Sequence, residues 1–474
     1  MNSEEIRRIS RSDPETIERV ITALVAQVAQ VEKLEARVKD LERQLKQNSQ
    51  NSSKPPSSDG FRKLPPSSRK SGGKKGPPHG HPGTTLHWID HPDKMIRLPL
   101  HTCPLCQSSL KGVSPTGEEC RQIFDLPTLQ LCVTEYRAEK KRCPHCHTTA
   151  KASFPVHVKA HTQYGESWGA MVSYLHQYQL LPLERIGELL QDVFGHRPSE
   201  ATLLSYVHRC AQGLASAEET IREQLLASSY LHADESGVRV EGKAHWMHVV
   251  SNANWTLLQV HRSRGLQAVK EQGILPVYTG CVIHDSLPMY FHESFPYSHG
   301  LCGAHLIREC QGIVDNDGHL WAVDMKALLQ EACHLSKEAR RQATPLTEAV
   351  LASVEQRYDE ILQEGQLEWG LPKRSKLRKG RLTQTKAASL GNRFMTYKSY
   401  ILRFLHDARI PFDNNQAERD LRMVKVKQKI SGSIRTMCGA EEFARIRSVI
   451  SSLRKQSRPI LPSLLLAIQG QFSF

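Results

Sequence analysis

The chain has 474 residues, of which 39% are hydrophobic, enough to build about three domains of ordinary size with apolar cores. Lysine and arginine exceed aspartate and glutamate by 14, and a charge excess of this size favours a polyanionic partner. No run of about 18 apolar residues is present, which excludes a membrane-spanning helix. The opening MNSEEIRRISRSD lacks the apolar centre of a secretory signal, so the 12 cysteines are expected to be thiols or metal ligands rather than disulfides.

The positive charge is concentrated in two segments. Residues 54–75 contain seven basic and one acidic side chain, and residues 373–458 contain 22 basic and six acidic ones. Like charges at this density repel one another unless phosphates lie between them, which predicts contact with a nucleic acid. The residues expected to bind DNA are Lys54, Arg62, Lys63, Lys74, Lys75, Arg422, Lys425 and Lys427.

The N-terminal region is predicted to be one long helix followed by a tether. Over residues 15–47, leucine and valine recur at spacings of three and four, which is typical of a coiled-coil seam. We therefore expect a homo-oligomer, and the alternative is an amphipathic helix that packs on its own chain. Residues 48–90 are rich in Pro, Gly, Ser and Lys, which predicts a flexible basic linker.

Two Cys-Pro-x-Cys motifs predict a structural zinc site within residues 91–160. The motifs are Cys103-Pro-Leu-Cys106 and Cys143-Pro-His-Cys146, and four thiolates form a closed tetrahedral Zn²⁺ site. The intervening sequence alternates in polarity, so we expect the strands of a zinc ribbon there, with Cys120 and Cys132 as core thiols. His145 and His147 are alternative ligands beside the second motif.

Residues 161–226 are predicted to be helical. LPLERIGELLQDVFGHRPSEATLLSYVHRC indicates one amphipathic helix, a turn at Gly195, and a second helix with Ser199 as its N-cap. This arrangement is typical of a DNA-binding helix-turn-helix, and equally of a plain helical hairpin.

Three acidic residues occupy positions that suit metal ligands. YLHAD, VRVEG, AHWMHVV and WTLLQVH predict a three-stranded antiparallel meander, with Asp234 on its first strand. The apolar run 281–283 indicates a buried strand, and Asp285 lies at the exit of that strand. Glu418 lies near the start of a helix that also carries Arg422 and Lys425 on the same face.

These carboxylates predict phosphodiester chemistry. Hard anionic oxygens bind Mg²⁺ or Mn²⁺, and two such ions activate the nucleophile and stabilise the leaving oxygen. The basic side chains beyond Glu418 are placed to hold the substrate phosphate.

LHADESGVRV, CVIHDSLPMYF, GLCGAHLIREC and DNNQAERDLRMVKVKQKISGS resemble conserved blocks of the insertion sequence 66 family of transposases. QNSSKPPSSD, the two Cys-Pro-x-Cys motifs and LPLERIGELLQDVFG are similar to that family too. The resemblance implies a DDE transposase in which Asp234, Asp285 and Glu418 bind the catalytic metal ions. It also implies a bacterial cytoplasmic, nucleoid-associated protein that binds element ends and target DNA, in an element that encodes companion proteins. His305 is expected to contact the active site or DNA, with a buried structural histidine as the alternative.

The expected fold class is multidomain α+β. An RNase H-like α/β core would comprise residues 227–314 and 405–455, interrupted by a helical insertion over residues 315–404 and followed by a C-terminal tail at 456–474. The expected activity is metal-dependent strand cleavage and strand transfer by direct phosphoryl transfer. Alternatives are a non-catalytic zinc-containing DNA-binding regulator and a recombinase that forms a covalent protein–DNA link.

Overall fold

The computed structural model describes residues 13–48, 50–52, 86–127, 129–369 and 385–474. The described parts of Met1–Pro65, Val156–Leu190 and Arg197–Phe474 form one compact unit, and those of Pro66–Pro155 and Gln191–His196 form a second. None of the helices in these residues is both long and apolar enough to cross a membrane.

The chain combines helices with a small and a larger β-sheet. The helices are α1 Pro14–Lys46, α2 Glu166–Ser173, α3 Leu183–Phe194, α4 Glu200–Gly213, α5 Ala215–Leu226, α6 Leu266–Gln272, α7 Gly303–Asp317, α8 Leu320–Arg341, α9 Glu348–Trp369, α10 Lys386–Thr396, α11 Lys398–Ile401, α12 Arg403–His406, α13 Asn415–Ser431, α14 Met437–Lys455 and α15 Ile460–Gln469. The strands are β1 Lys140–Arg142, β2 Thr149–Lys151, β3 Tyr230–Val240, β4 Lys243–Ser251, β5 Thr256–His261, β6 Cys281–His284 and β7 Ser298–Leu301.

The predicted N-terminal helix is present as α1. Asp13 caps it by accepting a hydrogen bond from the backbone N–H of Thr16 at 2.9 Å. Its apolar stripe is exposed to solvent, including Leu34 at 57% and Val38 at 54%. Near its C-terminal end, Arg43 forms an ion pair with Asp317 at 2.7 Å, which attaches the helix to α7.

The smaller unit is only partly as predicted. Strands β1 and β2 pair antiparallel around the second cysteine motif, with Lys140 opposite Lys151. Of the strands expected between the two motifs, β1 is present at the end of the segment, whereas the described residues 121–127 and 129–139 form no strand. Cys120 and Cys132 are exposed rather than core thiols. The alternating pattern was misleading because the segment has no buried face against which to alternate.

The helix pair predicted before the sheet is confirmed. Helix α3 ends at Phe194, and Gly195 adopts a φ of +73°, a left-handed turn conformation that glycine adopts without strain. The hydroxyl of Ser199 accepts a hydrogen bond from the backbone N–H of Thr202 at 3.2 Å and caps α4.

The larger sheet has five strands in the order β5-β4-β3-β6-β7. Strands β3, β4 and β5 form the predicted antiparallel meander, whereas β6 and β7 add in parallel. YLHAD and VRVEG belong to one continuous strand instead of two, since β3 runs through Gly237. Glu241 and Gly242 have φ values of +53° and +73° and form the tight turn into β4.

Helices α13 and α14 cover the meander. Ala417, Leu421 and Val424 of α13 share a buried core with Val238 and Val240 of β3. Helix α14 lies along β5, where the hydroxyl of Ser448 accepts from the backbone N–H of Leu258 at 2.8 Å and that of Ser452 from Thr256 at 3.0 Å. These serines satisfy edge-strand donors that would otherwise be unpaired.

The region between β7 and α13 is helical, as predicted for the insertion. Helices α8 and α9 and the short helices from α10 to α12 share one hydrophobic core with residues of β6 and α7. The segment predicted as a C-terminal tail, residues 456–474, contains the packed helix α15. A Cβ at Gly213 of α4 would lie 1.8 Å from the carbonyl oxygen of Ala467, so this close approach requires glycine.

Candidate active site and metal centres

Asp234 and Asp285 lie side by side on neighbouring parallel strands. The parallel pairing of β3 with β6 places His232 opposite Ile283. Each aspartate follows its paired residue by two positions, so both carboxylates are at the same level, where β6 ends. The structure therefore brings together two of the three predicted metal ligands.

Backbone groups orient both aspartates. The N–H of Glu235 donates to Asp234 Oδ1 at 2.8 Å, and the N–H of Leu287 donates to Asp285 Oδ1 at 3.1 Å. Between the latter two residues, Ser286 adopts a φ of +71°, a strained value for a residue with a side chain. The chain thus turns sharply directly after Asp285 and fixes its carboxylate at the edge of the sheet.

The electrostatics of the pair are those of crowded, half-buried carboxyl groups. Burial raises the pKa of Asp234 well above its ordinary value, and the charges of Glu235, Asp285 and Glu418 raise it further. Burial also raises the pKa of Asp285, with Glu235 as the next cause. A bound cation would remove the repulsion that disfavours ionisation here.

Glu418 lies in the first turn of α13, near enough for its charge to raise the pKa of Asp234. Its Oε1 accepts a hydrogen bond from Arg308 Nη2 at 3.1 Å and lies 3.6 Å from His305 Nε2. Among the described residues, Asp234, Asp285 and Glu418 do not bring three carboxylate oxygens within 4.8 Å of one another. Glu418 is therefore close enough to affect Asp234 electrostatically, but its carboxylate is hydrogen-bonded to Arg308.

Asn414, at the N-cap of α13, attaches this helix to β3. Its Nδ2 donates to the carbonyl of Ala233 at 2.8 Å, and its Oδ1 accepts from Nδ1 of His232 at 2.9 Å. Burial lowers the pKa of His232 to about 4, so the imidazole is neutral. These two bonds fix the start of the helix that carries Glu418 against the strand that carries Asp234.

Glu235 follows Asp234 on β3, so strand alternation directs the two side chains to opposite faces of the sheet, although the charge of Glu235 still raises the pKa of both aspartates. Its side chain is 1% exposed and forms an ion pair with Arg264, whose Nε is 2.9 Å from Oε1. The hydroxyl of Tyr290 donates to its Oε2 at 2.8 Å. Both oxygens are occupied, which argues against Glu235 as the metal ligand in place of Asp234. Neither Arg264 nor Tyr290 could be predicted as a partner of Glu235, because both lie far from it along the chain.

The predicted DNA-binding residues have different environments. Arg422 is exposed and Lys425 half-buried, as a phosphate contact requires. Lys427 is buried, and burial lowers its pKa to about 8, so its assignment to an open DNA surface is wrong. Its charge contributes to the lowered pKa of His176, so the two side chains are near each other. The remaining predicted residues lie outside the described part of the chain: Lys54, Arg62, Lys63, Lys74 and Lys75.

Many basic side chains after residue 385 are buried or form ion pairs within the chain. Arg447 is buried, and Lys455 forms a buried ion pair with Asp420 at 2.8 Å. Further ion pairs are Arg393–Glu309, Lys398–Asp359, Arg409–Asp407 and Arg445–Glu218. The charge density of this segment therefore overstated its capacity to contact phosphates.

Both cysteine motifs form tight knuckles. The carbonyl of Cys103 accepts from the N–H of Gln107 at 2.9 Å, and that of Cys143 accepts from the N–H of His147 at 3.0 Å. Hydrogen bonds with Ser108 lower the pKa of Cys106 to about 7, which favours the thiolate that zinc requires. Thr148 has the same effect on Cys146. Among the described residues, the two knuckles do not bring three sulfur atoms within 4.8 Å of one another.

Comparison with protein families agrees with this architecture. The Transposase IS66 family matches residues 161–442, more than half of the chain, and includes all three carboxylates. The zinc-finger binding domain of transposase IS66 matches residues 101–147, which contain both knuckles. A family of unknown function, DUF6444, matches residues 5–87. No curated protein matches the chain. The chain belongs to the IS66 family of transposases and carries the zinc-finger domain of that family.

Proposed function

We propose that this transposase cleaves and joins DNA strands at the ends of its element by direct phosphoryl transfer, with Asp234, Asp285 and Glu418 as its catalytic metal ligands. The observation that carries the proposal is the juxtaposition of Asp234 and Asp285 at the same level of two parallel strands. Their burial in a common electrostatic environment with Glu418 supports it.

The order of the sheet supports an RNase H-like core. Three antiparallel strands continue into two parallel ones, and helices α13 and α14 pack on the meander. We assign residues 227–314 and 405–455 to this core, residues 315–404 to its helical insertion, residues 91–160 to the zinc-binding module and residues 161–226 to the helical segment before the core. Helix α7 crosses the boundary between residues 314 and 315, so the insertion begins within a continuous helix.

The donor set fits Mg²⁺ or Mn²⁺. Both ions prefer carboxylate oxygens, and the repulsion among the buried acids is what a divalent cation would relieve. Asp234 and Asp285 would hold the ions through oxygens that the backbone bonds leave available, and Glu418 would join them after leaving Arg308. Bound ions supply activation of the attacking water or 3′-hydroxyl and stabilisation of the leaving oxygen.

We also propose that two copies of the chain associate through α1. Its leucine and valine stripe is exposed along the helix, and the spacing of these residues is that of a coiled-coil seam. The ion pair of Arg43 with Asp317 lies near the C-terminal end of the helix, and among the described residues the leucine and valine stripe remains exposed to a partner.

The catalytic proposal is tested with a plasmid that carries the gene and its flanking DNA. With Mn²⁺, the wild-type chain is expected to nick this plasmid, whereas Asp234→Asn, Asp285→Asn and Glu418→Gln reduce nicking to background. All three variants should still retard the flanking DNA in a gel. The matched control is Glu441→Gln, which changes an exposed acid on α14 and should nick as the wild type does.

Two outcomes would contradict the proposal. If one of the three variants nicks at the wild-type rate, that residue is not a metal ligand. If the wild-type chain binds the flanking DNA but no divalent cation produces nicks, the chain is a zinc-containing DNA-binding regulator. Glu418 in its ion pair with Arg308 is the observation that favours this second candidate.

A further inference from the structure

A second group of metal-type donors lies between α4 and α14, outside both the triad and the zinc-finger domain. His208 is on α4, and Cys438 and Glu442 are on α14. One donor atom from each of the three lies within 4.8 Å of the other two. The four-residue spacing of Cys438 and Glu442 places both on one face of the helix, one turn apart.

Contacts within the group centre on Glu442. Its Oε1 forms a short hydrogen bond with Nδ1 of His208 and accepts from Sγ of Cys438 at 3.8 Å. Its Oε2 is buried and has no hydrogen-bond partner among the described residues. Because Glu442 is only 9% exposed, water cannot easily replace that partner. An unsatisfied, buried carboxylate oxygen is costly, and a cation bound at this point would satisfy it.

The chemistry of the donors selects the class of ion. Imidazole nitrogen, thiolate sulfur and carboxylate oxygen together suit Zn²⁺, whereas Mg²⁺ and Ca²⁺ require oxygen ligands. Zinc bonds of about 2.0–2.3 Å place tetrahedral ligands roughly 3.3–3.8 Å apart. The separation of Cys438 Sγ and Glu442 Oε1, 3.8 Å, fits this range, and the short contact between His208 and Glu442 would lengthen when an ion replaces its proton. The side chain of His208 is 40% exposed, and Cys438 is exposed, which gives an ion access from solvent.

We propose that His208, Cys438 and Glu442 form a second zinc site with one position open to water, which joins helix α4 to helix α14. Helix α14 also supplies Ser448 and Ser452 to the edge of the larger sheet. Zinc at this point therefore connects the helical segment that precedes the sheet with the helix that covers its edge, and it stabilises that junction.

The test counts metal ions bound to the full-length chain. The reduced chain, freed of metal with a chelator, is titrated with Co²⁺, whose visible absorption reports thiolate ligation, and zinc content is measured by mass spectrometry. We expect two equivalents of thiolate-bound metal per wild-type chain, and ions bound to the carboxylates of the triad do not contribute to this absorption. Cys438→Ser and His208→Gln should each lose one equivalent and keep the tetrathiolate spectrum. Cys103→Ser should lose the other equivalent and keep the weaker spectrum of a single thiolate.

Cys333→Ser is the matched control, since it changes a half-buried thiol on α8 and should retain both equivalents. Zinc should also raise the melting temperature of Cys103→Ser but not that of the double variant Cys103→Ser/Cys438→Ser. The proposal is overturned if the wild-type chain binds a single equivalent that Cys103→Ser abolishes, or if Cys438→Ser keeps both. Neither outcome depends on DNA cleavage.

Discussion

Arg308 donates from Nη2 to Oε1 of Glu418 at 3.1 Å, and this ion pair opposes the gathering of the three carboxylates. Arg308 is on α7 and Glu418 on α13, so the contact joins two helices that are distant in sequence. Glu418 is 34% exposed, and a partly exposed ion pair of this kind is weak enough to exchange its partner. Under the proposed function, the Arg308 guanidinium and a metal ion would therefore compete for the Glu418 carboxylate.

Removal of the guanidinium should strengthen metal binding. In Arg308→Gln, Mn²⁺ no longer has to displace a guanidinium from Glu418. We therefore expect the affinity for Mn²⁺ to rise about two- to fivefold, which corresponds to the free energy of a partly exposed ion pair. Isothermal titration of the DNA-free protein measures this change. Arg341→Gln, which removes an exposed ion pair with Glu338, is the control and should leave the affinity as it is. An unchanged or weaker affinity for Mn²⁺ in Arg308→Gln would show that Glu418 does not bind the ion.

Asn414 should be essential to the stability of the core. Asn414→Ala removes two buried hydrogen bonds and leaves the carbonyl of Ala233 and Nδ1 of His232 without partners. Each unsatisfied buried group costs about 1–3 kcal/mol, so the free energy of unfolding should fall by roughly 2–4 kcal/mol. Urea unfolding measures it, with Asn415→Ala as the neighbouring control. Equal stability of the two variants would contradict the role of Asn414 in fixing α13 to β3.

The sequence alone predicted those parts of the site that depend on local pattern. Asp285 was placed at the exit of a strand because three apolar residues precede it, and Ser199 and Gly195 marked the ends of two helices correctly. These signals are contained in a few consecutive residues. They also predicted the antiparallel meander, in which YLHAD and VRVEG form one strand because a glycine, Gly237, can lie within a strand.

Features that depend on distant residues were not predictable in this way. The partners of Glu235 lie 29 and 55 residues further along the chain, and the orientation of Lys427 depends on which face of α13 meets the rest of the fold. Charge density likewise could not separate basic residues that contact solvent from those in internal ion pairs, such as Lys455 with Asp420. Tertiary packing, which composition does not encode, decides each of these cases.

Oligomerisation through α1 is tested by a charge on its seam. Leu34→Lys places a lysine on the exposed apolar stripe, where an identical helix would bury it, so the dimer should dissociate. Light scattering after size-exclusion chromatography gives the mass directly. Lys33→Glu changes the opposite face of the helix and should keep the wild-type mass. A wild-type chain that remains a monomer at micromolar concentration would show that the stripe serves another purpose.

Acid sensitivity should follow from histidines that are buried in the neutral state. Burial lowers the pKa of His176 to about 4, with the charge of Lys427 as the second cause, and its Nδ1 donates to the carbonyl of Leu181 at 2.8 Å. An unfolded histidine has a pKa of about 6.5, so between pH 6.5 and 4 only the unfolded chain takes up this proton. The stability contributed by neutral His176 is therefore complete above pH 6.5 and is lost as the pH falls towards 4.

His176→Gln should remove this part of the pH dependence and keep a donor for Leu181. The linkage amounts to at most about 1.4 kcal/mol per pH unit, so between pH 6.5 and 5 the wild-type chain should lose about 2 kcal/mol more stability than the variant. Asp234 and Asp285 have raised pKa values and act in the opposite direction, but they are present in both proteins and cancel in the difference. Urea unfolding at both pH values measures it, with the exposed His334→Gln as control. Parallel pH profiles for wild type and His176→Gln would show that His176 is protonated in the folded chain, contrary to its buried environment.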